Sequence, residues 1–98
     1  MNHALPKSKN WYYVYLLTSS KTAWIYIGCT NDLEKRLREH NERKVCSTKK
    51  MLPVEVIYFE AYKSKDVAFA REKSLKKYGS GLAKLKSRLG IVREGRAG

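Results

Sequence analysis

The sequence lacks the features that define several protein classes. No stretch of its 98 residues approaches the roughly 20 consecutive apolar residues of a membrane-spanning helix. The N-terminal segment has no continuous apolar region, so no signal peptide is expected. Two cysteines, Cys29 and Cys46, are too few for a disulfide framework. These absences favour a cytoplasmic protein with reduced thiols and no membrane-spanning segment.

Common nucleotide and zinc motifs are also missing. The chain has no Gly-x-x-x-x-Gly-Lys-Ser/Thr loop and no Gly-x-Gly-x-x-Gly turn, which argues against P-loop hydrolysis and dinucleotide binding. It has no Cys-x-x-Cys pair and no pair of histidines at zinc-finger spacing. His3, Cys29, His40 and Cys46 are therefore not expected to bind zinc, and a Cys–His nucleophilic pair has no local signature.

Positive charge, by contrast, is abundant. Lys and Arg number 21 against nine Asp and Glu, which gives a net charge of +12. Apolar residues make up 43% of the chain, enough for one modest core but not for a second catalytic domain. The surplus of positive charge favours a polyanionic partner, which is nucleic acid, an anionic membrane surface or an acidic protein.

The hydrophobic pattern predicts a single α+β domain over residues 11–90, with a flexible leader (1–10) and a flexible tail (91–98). The predicted elements are the strands Trp11–Leu17 and Trp24–Gly28, a helix Asn31–Arg43 capped by Thr30 or Asn31, a basic loop Val45–Leu52, a strand Val54–Tyr62, a helix from Ser64 to about Tyr78 with Gly79 at its C′ position, and a short helix Ser80–Leu89 ended by Gly90. The order β-β-α-β-α-α predicts a small, largely antiparallel three-stranded sheet flanked by helices. The neighbour of the third strand stays open.

The first predicted helix carries Arg36 and His40 on one face, at the border of the apolar stripe formed by Leu33 and Leu37. Both residues have a purely structural explanation. Arg36 can extend its charged group to solvent, and His40 can lie at the edge of the core with its hydrogen bonds made. The functional alternative is a phosphate-binding pair, because a guanidinium offers a planar fork of donors.

The second predicted helix carries one carboxylate, Glu72, within a basic run that includes Lys73, Lys76 and Lys77. Glu72 flanks the apolar stripe of Ala68 and Leu75. It could form a simple surface pair with Lys76. It could also hold Mg²⁺, which keeps several waters and binds substrate phosphates through one or two carboxylates.

The aromatic residues of the two first strands share faces. Tyr13 and Tyr15 alternate along the first strand, and Trp24 and Tyr26 along the second, where Gly28 continues the same face. Cross-strand packing explains any single tyrosine. Gly28 leaves room for the close approach of a ligand or of another part of the chain.

Together these residues resemble the GIY-YIG nuclease superfamily. The first half-motif is similar to Tyr13-Val14-Tyr15 and the second to Tyr26-Ile27-Gly28, and Arg36, His40 and Glu72 match the family's arginine, helix histidine and glutamate. The small stand-alone bacterial branch is the most similar, a branch that resembles the N-terminal domain of the UvrC repair endonuclease. The chain departs from the family where Tyr13 replaces a glycine and where Cys29 stands at a position that some members fill with lysine.

The resemblance implies hydrolysis of a DNA phosphodiester by in-line attack of water, with low sequence specificity and a role in repair or recombination. It implies that Glu72 holds one Mg²⁺ or Mn²⁺ ion, that Arg36 neutralises phosphoryl charge, and that Tyr26 activates or orients water beside Tyr15. In this scheme His40 assists proton transfer or holds a tyrosine hydroxyl. A free tyrosine has a pKa near 10, so a basic role for Tyr26 needs a nearby cation, and the choice between base and water-orienting group stays open.

Binding is expected to come from basic side chains on phosphates, which position DNA without reading its sequence. The candidates are Lys35, Arg38, Lys44, Lys49, Lys50, Lys73, Lys76, Lys77, Lys84 and Lys86. The substrate is duplex or branched DNA, and RNA is not excluded.

Two other functions compete with the endonuclease. A non-catalytic nucleic-acid-binding module on the same fold would use the same basic face, with Glu72 as a surface pair. A protein-interaction module would recruit a partner nuclease or an acidic protein, and would bind DNA only weakly.

Overall fold

The computed structural model describes residues 5–6, 10–21, 24–77 and 79–91, apart from the side chains of Cys46 and Ser47. Across these ranges the chain follows the predicted order β-β-α-β-α-α. The strands are β1 (Tyr12–Ser19), β2 (Ile25–Thr30) and β3 (Val54–Tyr62). The helices are α1 (Leu33–Asn41), α2 (Lys65–Lys76) and α3 (Ser80–Arg88), with a 3₁₀-helix at Cys46–Met51. The α+β architecture is confirmed, and none of the helices described has the length and apolar character to cross a membrane.

The sheet has the order β2-β1-β3, and both pairings are antiparallel. The neighbour of the third strand, which the sequence left open, is therefore β1. This central strand is buried continuously from Tyr13 to Leu17 because helices cover both faces of the sheet.

Alternation along β1 divides the core into two clusters. Val14 and Leu16 pack with Ile27 against α2 and α3, on what we call the α2 face. Tyr15 and Leu17 pack with Leu33 on the opposite side, the α1 face. The two tyrosines of the half-motifs, Tyr15 and Tyr26, consequently lie on the same face as α1.

A β-bulge in β3 changes which residues face α2. Leu16 pairs with Tyr58 while the next residue, Leu17, pairs with Val56, so Ile57 is the extra residue. Val56 lies on the α1 face, whereas Glu60 pairs with Val14 and shares the α2 face. Without the extra residue, Glu60 would point to the other side of the sheet.

Side-chain hydrogen bonds fix α1 at both ends. The Asp32 carboxylate caps the helix by accepting from the Lys35 N–H at 3.1 Å. The Asn41 amide accepts from the Val54 N–H at 3.0 Å and donates to the Val54 carbonyl at 3.3 Å. These contacts tie the end of α1 to the start of β3 and set the position of its inner face.

Three local predictions need correction. The cap of α1 is Asp32 rather than Thr30 or Asn31, because β2 continues to Thr30 through its pairing with Tyr13. The helix ends at Asn41 rather than Arg43, whose φ of 66° lies in the left-handed region. The predicted basic loop contains the 3₁₀-helix Cys46–Met51.

The glycines that flank α3 behave differently from each other. Gly79 was assigned to the C′ position of α2, but its φ of −91° is not left-handed and it is the N-cap of α3. Gly90 follows α3 with a φ of 77°, in agreement with its predicted role as a helix stop.

The two chain ends lie largely outside the described residues. Within the predicted leader, Leu5 and Pro6 are half-buried, and Leu5 packs against the α1-face cluster. The rest of that segment up to residue 9, and residues 92–98 of the predicted tail, fall outside the described ranges.

Candidate active site

Tyr15 and Gly28 face each other across β1 and β2, and the phenol of Tyr15 occupies the space above the glycine. A Cβ atom at position 28 would lie 2.4 Å from both Cζ and Oη of Tyr15. The glycine of the second half-motif is therefore needed for space. The close approach predicted at Gly28 is made by Tyr15.

The Tyr15 hydroxyl leads into a buried chain of hydrogen bonds. Tyr15 Oη lies 3.1 Å from Nε2 of His40, and His40 Nδ1 lies 2.9 Å from Oγ1 of Thr48. The Thr48 hydroxyl donates to the Val45 carbonyl at 3.3 Å. Tyr15, His40 and Thr48 are almost completely inaccessible to solvent.

The partners in this chain determine where the protons lie. The single proton of the Thr48 hydroxyl is directed to Val45, so Oγ1 accepts from His40 Nδ1–H. Nε2 of a neutral imidazole is then the acceptor for the Tyr15 hydroxyl. Burial, and then the charge of Arg36, lower the pKa of His40 to about 4, which keeps the ring neutral near pH 7.

The same environment keeps Tyr15 protonated. Burial raises the pKa of Tyr15 well above its usual value of about 10, and the nearby Tyr26 and Glu72 add to this, while Arg36 opposes it. Tyr15 is therefore a neutral hydrogen-bond donor to His40.

Tyr26 completes an aromatic group on the α1 face. Its ring centroid lies 5.0 Å from that of His40, 6.4 Å from that of Tyr15 and 6.1 Å from that of Trp24. Its side chain is half-buried, whereas Tyr15 is buried. Tyr26 is thus the tyrosine of the pair that can contact a molecule arriving from solvent.

Arg36 projects from α1 beside this group. Its Nη1 is 3.1 Å from Glu39 Oε1, and its side chain is 37% exposed. Burial opposes the charge, but hydrogen bonding to Tyr15 and to Glu39 raises the pKa of Arg36, so the guanidinium is always charged. With Lys35, Arg36 lines an open cleft of about 350 Å³ at the start of α1, next to Cys29.

Glu72 lies half-buried on α2, a helix that packs against β1 and β2. Its side chain is 20% exposed, and Oε2 is 2.9 Å from Nζ of Lys76. Burial and then the Glu72 carboxylate raise the pKa of the Cys29 thiol to about 11, and Lys76 acts in the opposite direction. The charge of Glu72 also contributes to the raised pKa of Tyr15.

The donor set suits a hard cation held by a single carboxylate. Among the residues described, no three His, Cys, Asp or Glu side chains form a cluster that could enclose a metal ion. A single half-buried carboxylate matches the way Mg²⁺ binds through one or two carboxylates, waters and substrate phosphates. Glu72 fits this type of site, in competition with Lys76.

A second polar cluster holds the opposite flank of α2. Arg71 donates from Nε and Nη2 to the two carboxylate oxygens of Glu60, both at 2.8 Å. The Tyr58 and Tyr62 hydroxyls donate to the same carboxylate. The Glu60 carboxylate is partly desolvated, but its bonds to Arg71 and the tyrosines lower its pKa to about 2. This clamp fixes the rotation of α2 next to Glu72.

The structure brings together the five predicted catalytic residues but spreads the predicted binding residues over the surface. Lys35 lines the cleft with Arg36. Lys76 pairs with Glu72, and Lys73 and Lys77 line a separate groove on α2. The other exposed members lie on α1, in the segment that follows it, and on α3, and they are Arg38, Lys44, Lys49, Lys50 and Lys84, with Lys86 half-buried.

Two parts of the site were not singled out in the sequence. Thr48 stands in a basic segment with no periodicity, and nothing in that pattern indicates a partner for His40. The clamp did leave a signal, since Tyr58, Glu60 and Tyr62 alternate at the spacing of one strand face.

The chain is similar in sequence to known proteins. The family model described as the GIY-YIG catalytic domain matches residues 11–85. A UPF0213 protein of Haloquadratum walsbyi is 34% identical over 70 residues, which cover 70% of this chain and 78% of the relative. UPF0213 proteins of Streptococcus pyogenes serotypes M5 and M3 are 39% and 42% identical over 66 and 67 residues, 71% of their own length. No solved structure matches the chain.

Proposed function

The chain belongs to the GIY-YIG family, in the small stand-alone branch of the UPF0213 proteins, and we propose that it is a metal-dependent DNA endonuclease. Membership implies a nuclease-type domain that acts on nucleic acid. The observation that carries the proposal is the grouping of Tyr26 and His40 around the buried Tyr15, on which the charges of Arg36 and Glu72 also act. Arg36 also lines an open cleft.

Arg36 would bind the scissile phosphate. Its guanidinium is permanently charged, partly exposed and directed into the cleft that Lys35 also lines. A planar fork of N–H donors matches two phosphoryl oxygens. Arg36 would therefore neutralise the charge that develops on these oxygens as water attacks phosphorus and the bond to the leaving oxygen breaks.

Tyr26 is the better candidate to orient the attacking water. Tyr15 is buried, holds its proton strongly and already donates it to His40. Tyr26 is half-buried next to His40 and faces the same site. The neutral imidazole, with Nε2 as acceptor, can hold the Tyr15 hydroxyl while Tyr15 keeps Arg36 and Tyr26 in place.

Glu72 would hold a single Mg²⁺ or Mn²⁺ ion. A bound divalent ion supplies Lewis-acid stabilisation of the phosphoryl and leaving oxygens. The contribution of the chain is a half-buried carboxylate next to the tyrosine site, at the cost of its pair with Lys76.

The substrate we propose is duplex or branched DNA, cleaved with low sequence specificity. The net charge of +12 and the scattered surface lysines favour contacts with phosphates over contacts with base edges. A role in repair or recombination is part of the proposal, which takes it from the resemblance of the sequence to a branch similar to the N-terminal domain of the UvrC endonuclease.

A non-catalytic DNA-binding module on the same fold is the second candidate. It is favoured by one observation, the 2.9 Å ion pair between Glu72 and Lys76, which is the contact expected of an ordinary surface carboxylate. In that case the basic face binds DNA and Glu72 has no metal.

Nicking of supercoiled plasmid and cleavage of branched DNA by the purified protein would separate these functions. Reactions would contain Mg²⁺, Mn²⁺ or EDTA. We expect cleavage that requires a divalent ion and is lost in Glu72→Gln and Tyr26→Phe. Glu42→Gln, an exposed carboxylate paired with Lys44, and Tyr12→Phe, a half-buried tyrosine of the α2 face, are the matched controls and should cleave normally.

Salt-sensitive DNA binding without cleavage on any substrate would favour the binding module. Cleavage in EDTA, or full activity of Glu72→Gln, would contradict the metal-dependent mechanism.

A further inference from the structure

A groove of about 330 Å³ runs along the outer side of α2, apart from the cleft at α1. It is lined by Phe69, Ala70, Lys73, Ser74 and Lys77. Phe69 is 47% exposed, although a phenylalanine is among the residues most stabilised by burial. The groove therefore combines an accessible aromatic ring with polar and charged walls.

The charge of this groove is positive. Lys73 and Lys77 stand one helical turn apart, and the described residues that line the groove include no carboxylate. Lys65 adds a third ammonium group, with Nζ 5.5 Å from the centroid of the Phe69 ring. The positive charge of the groove suits an occupant with negative charges along its length, and the Phe69 ring suits an occupant with a flat face.

The groove begins on the flank of α2 next to Glu72. Phe69 lies three residues before Glu72 and therefore about 60° round the helix axis from it. Arg71 lies on the other flank, where it bonds to Glu60 of β3. A polyanion leaving the Glu72 edge would meet Phe69, Lys73 and Lys77 next.

We propose that this groove binds an unpaired segment of the DNA substrate, with a base stacked on Phe69 and phosphates against Lys73 and Lys77. The inference rests on the proposed function for the identity of the substrate as DNA. It adds a subsite on α2 for the unpaired strand of that substrate.

The aromatic ring distinguishes this occupant from duplex DNA. In a duplex the base faces are stacked on one another, and a phosphate contact needs only the lysines. An unpaired base has an open face, and stacking on an aromatic side chain contributes about 1–3 kcal/mol per base in single-strand-binding proteins, with little dependence on sequence. We therefore expect the Phe69 ring to contribute stacking energy to an unpaired strand but not to a duplex.

Binding measured without cleavage tests the inference. Fluorescence anisotropy would follow a labelled deoxythymidine oligomer of about 16 nucleotides, and a duplex of equal length, in EDTA. We expect Phe69→Ala to weaken binding of the oligomer by about ten-fold and of the duplex by less than about two-fold. Phe69→Tyr should restore the oligomer affinity. Val67→Ala, an equally exposed apolar residue on another side of α2, should leave both affinities unchanged.

The lysines give a second measurement. Lys73→Gln and Lys77→Gln should each reduce the slope of log affinity against log salt by about 0.7 on the single strand. The inference is overturned if the wild-type protein does not bind the oligomer, if Phe69→Ala weakens oligomer and duplex equally, or if Val67→Ala has the same effect as Phe69→Ala.

Its failure is separate from failure of the proposed function. If the protein nicks DNA but its binding of the oligomer does not depend on Phe69, the proposed role of the groove is wrong and the endonuclease proposal stands. If the protein binds the oligomer through Phe69 but never cleaves DNA, the proposed role of the groove stands and the endonuclease proposal is wrong.

Discussion

Gly28 and Tyr15 occupy adjacent sites on neighbouring strands, and the space between them admits only one side chain. The Tyr15 hydroxyl and Cζ lie 2.4 Å from the position that a Cβ of residue 28 would take. The phenol is also buried and bonded to His40. The glycine thus determines the placement of a tyrosine on another strand.

Gly28→Ala should displace Tyr15 and break its bond to His40. We expect a loss of about 1–3 kcal/mol in the free energy of unfolding, because the buried phenol must move into a packed core. DNA cleavage should fall by about 100-fold, since misplacement of a catalytic group by about 1 Å has an effect of that size. Urea denaturation and the nicking assay measure the two effects.

Gly81→Ala is the matched control, because nothing lies within 4 Å of a Cβ at position 81 in helix α3. It should stabilise the protein by up to about 1 kcal/mol and leave cleavage unchanged. Equal stability of the two alanine variants would contradict the packing argument.

Thr48→Val should alter the protonation of His40 without changing the shape of the core. The valine leaves the buried Nδ1–H donor without its acceptor, and we expect a loss of about 1–3 kcal/mol in stability. Thr48→Ser keeps the hydroxyl and should retain the tautomer. The ¹⁵N shifts of the His40 ring report the tautomer directly. An unchanged spectrum in Thr48→Val would argue against the hydrogen bond from His40 to Thr48.

Stability should fall as the pH decreases from about 6.5 to about 4. The pKa of His40 is lowered to about 4 in the folded protein, first by burial and then by Arg36, so the unfolded chain takes up a proton before the folded protein does. The stabilisation is complete above the unfolded pKa and decreases through this window, by about 1–3 kcal/mol.

Thermal unfolding at a series of pH values, compared with His40→Gln, isolates this contribution. The variant should be less stable at pH 7 and should lose less stability between pH 7 and pH 5. Parallel curves for the two proteins would contradict the assignment of a low pKa to His40.

Arg71→Met should destabilise the protein by about 1–3 kcal/mol, because it leaves the Glu60 carboxylate, which is 13% exposed, without its guanidinium. Since the pKa of Glu60 is lowered to about 2 in the folded protein, the stabilisation by the clamp is complete above pH 4.5 and is lost as the pH falls towards 2. Glu42→Gln breaks a pair whose side chains are 66% and 49% exposed and should change stability by less than about 0.5 kcal/mol. Chemical denaturation at pH 7 and pH 3 checks both values.

Local signals in the sequence were sufficient for most of the fold. Strand β3 begins and ends where its apolar pattern predicts, at Val54 and Tyr62, and Ser64 caps α2 as expected. The errors lie at element ends, such as the cap of α1, where pairing of Thr30 with Tyr13 extends β2 and moves the helix start to Asp32. Such boundaries depend on partners distant in sequence.

The candidate site divides in the same way. Arg36 and His40 share a helix face because of their spacing, and Glu72 borders the stripe of α2 for the same reason, so each could be named from local periodicity and family resemblance. Thr48 could not, because its contact with His40 depends on the path of the segment after α1. The clamp between Glu60 and Arg71 depends on one extra residue in β3.

Element order, positive charge and the residue types of the candidate site can be predicted from the amino-acid sequence, because hydrophobic period, turn chemistry and charge are properties of short segments. The tertiary structure alone decided which tyrosine is buried and which faces solvent, which nitrogen of His40 carries the proton, and which side of α2 meets the β2 edge. These properties arise from burial and from contacts between Tyr15, Gly28, His40 and Thr48, which come together only when the sheet and α1 pack.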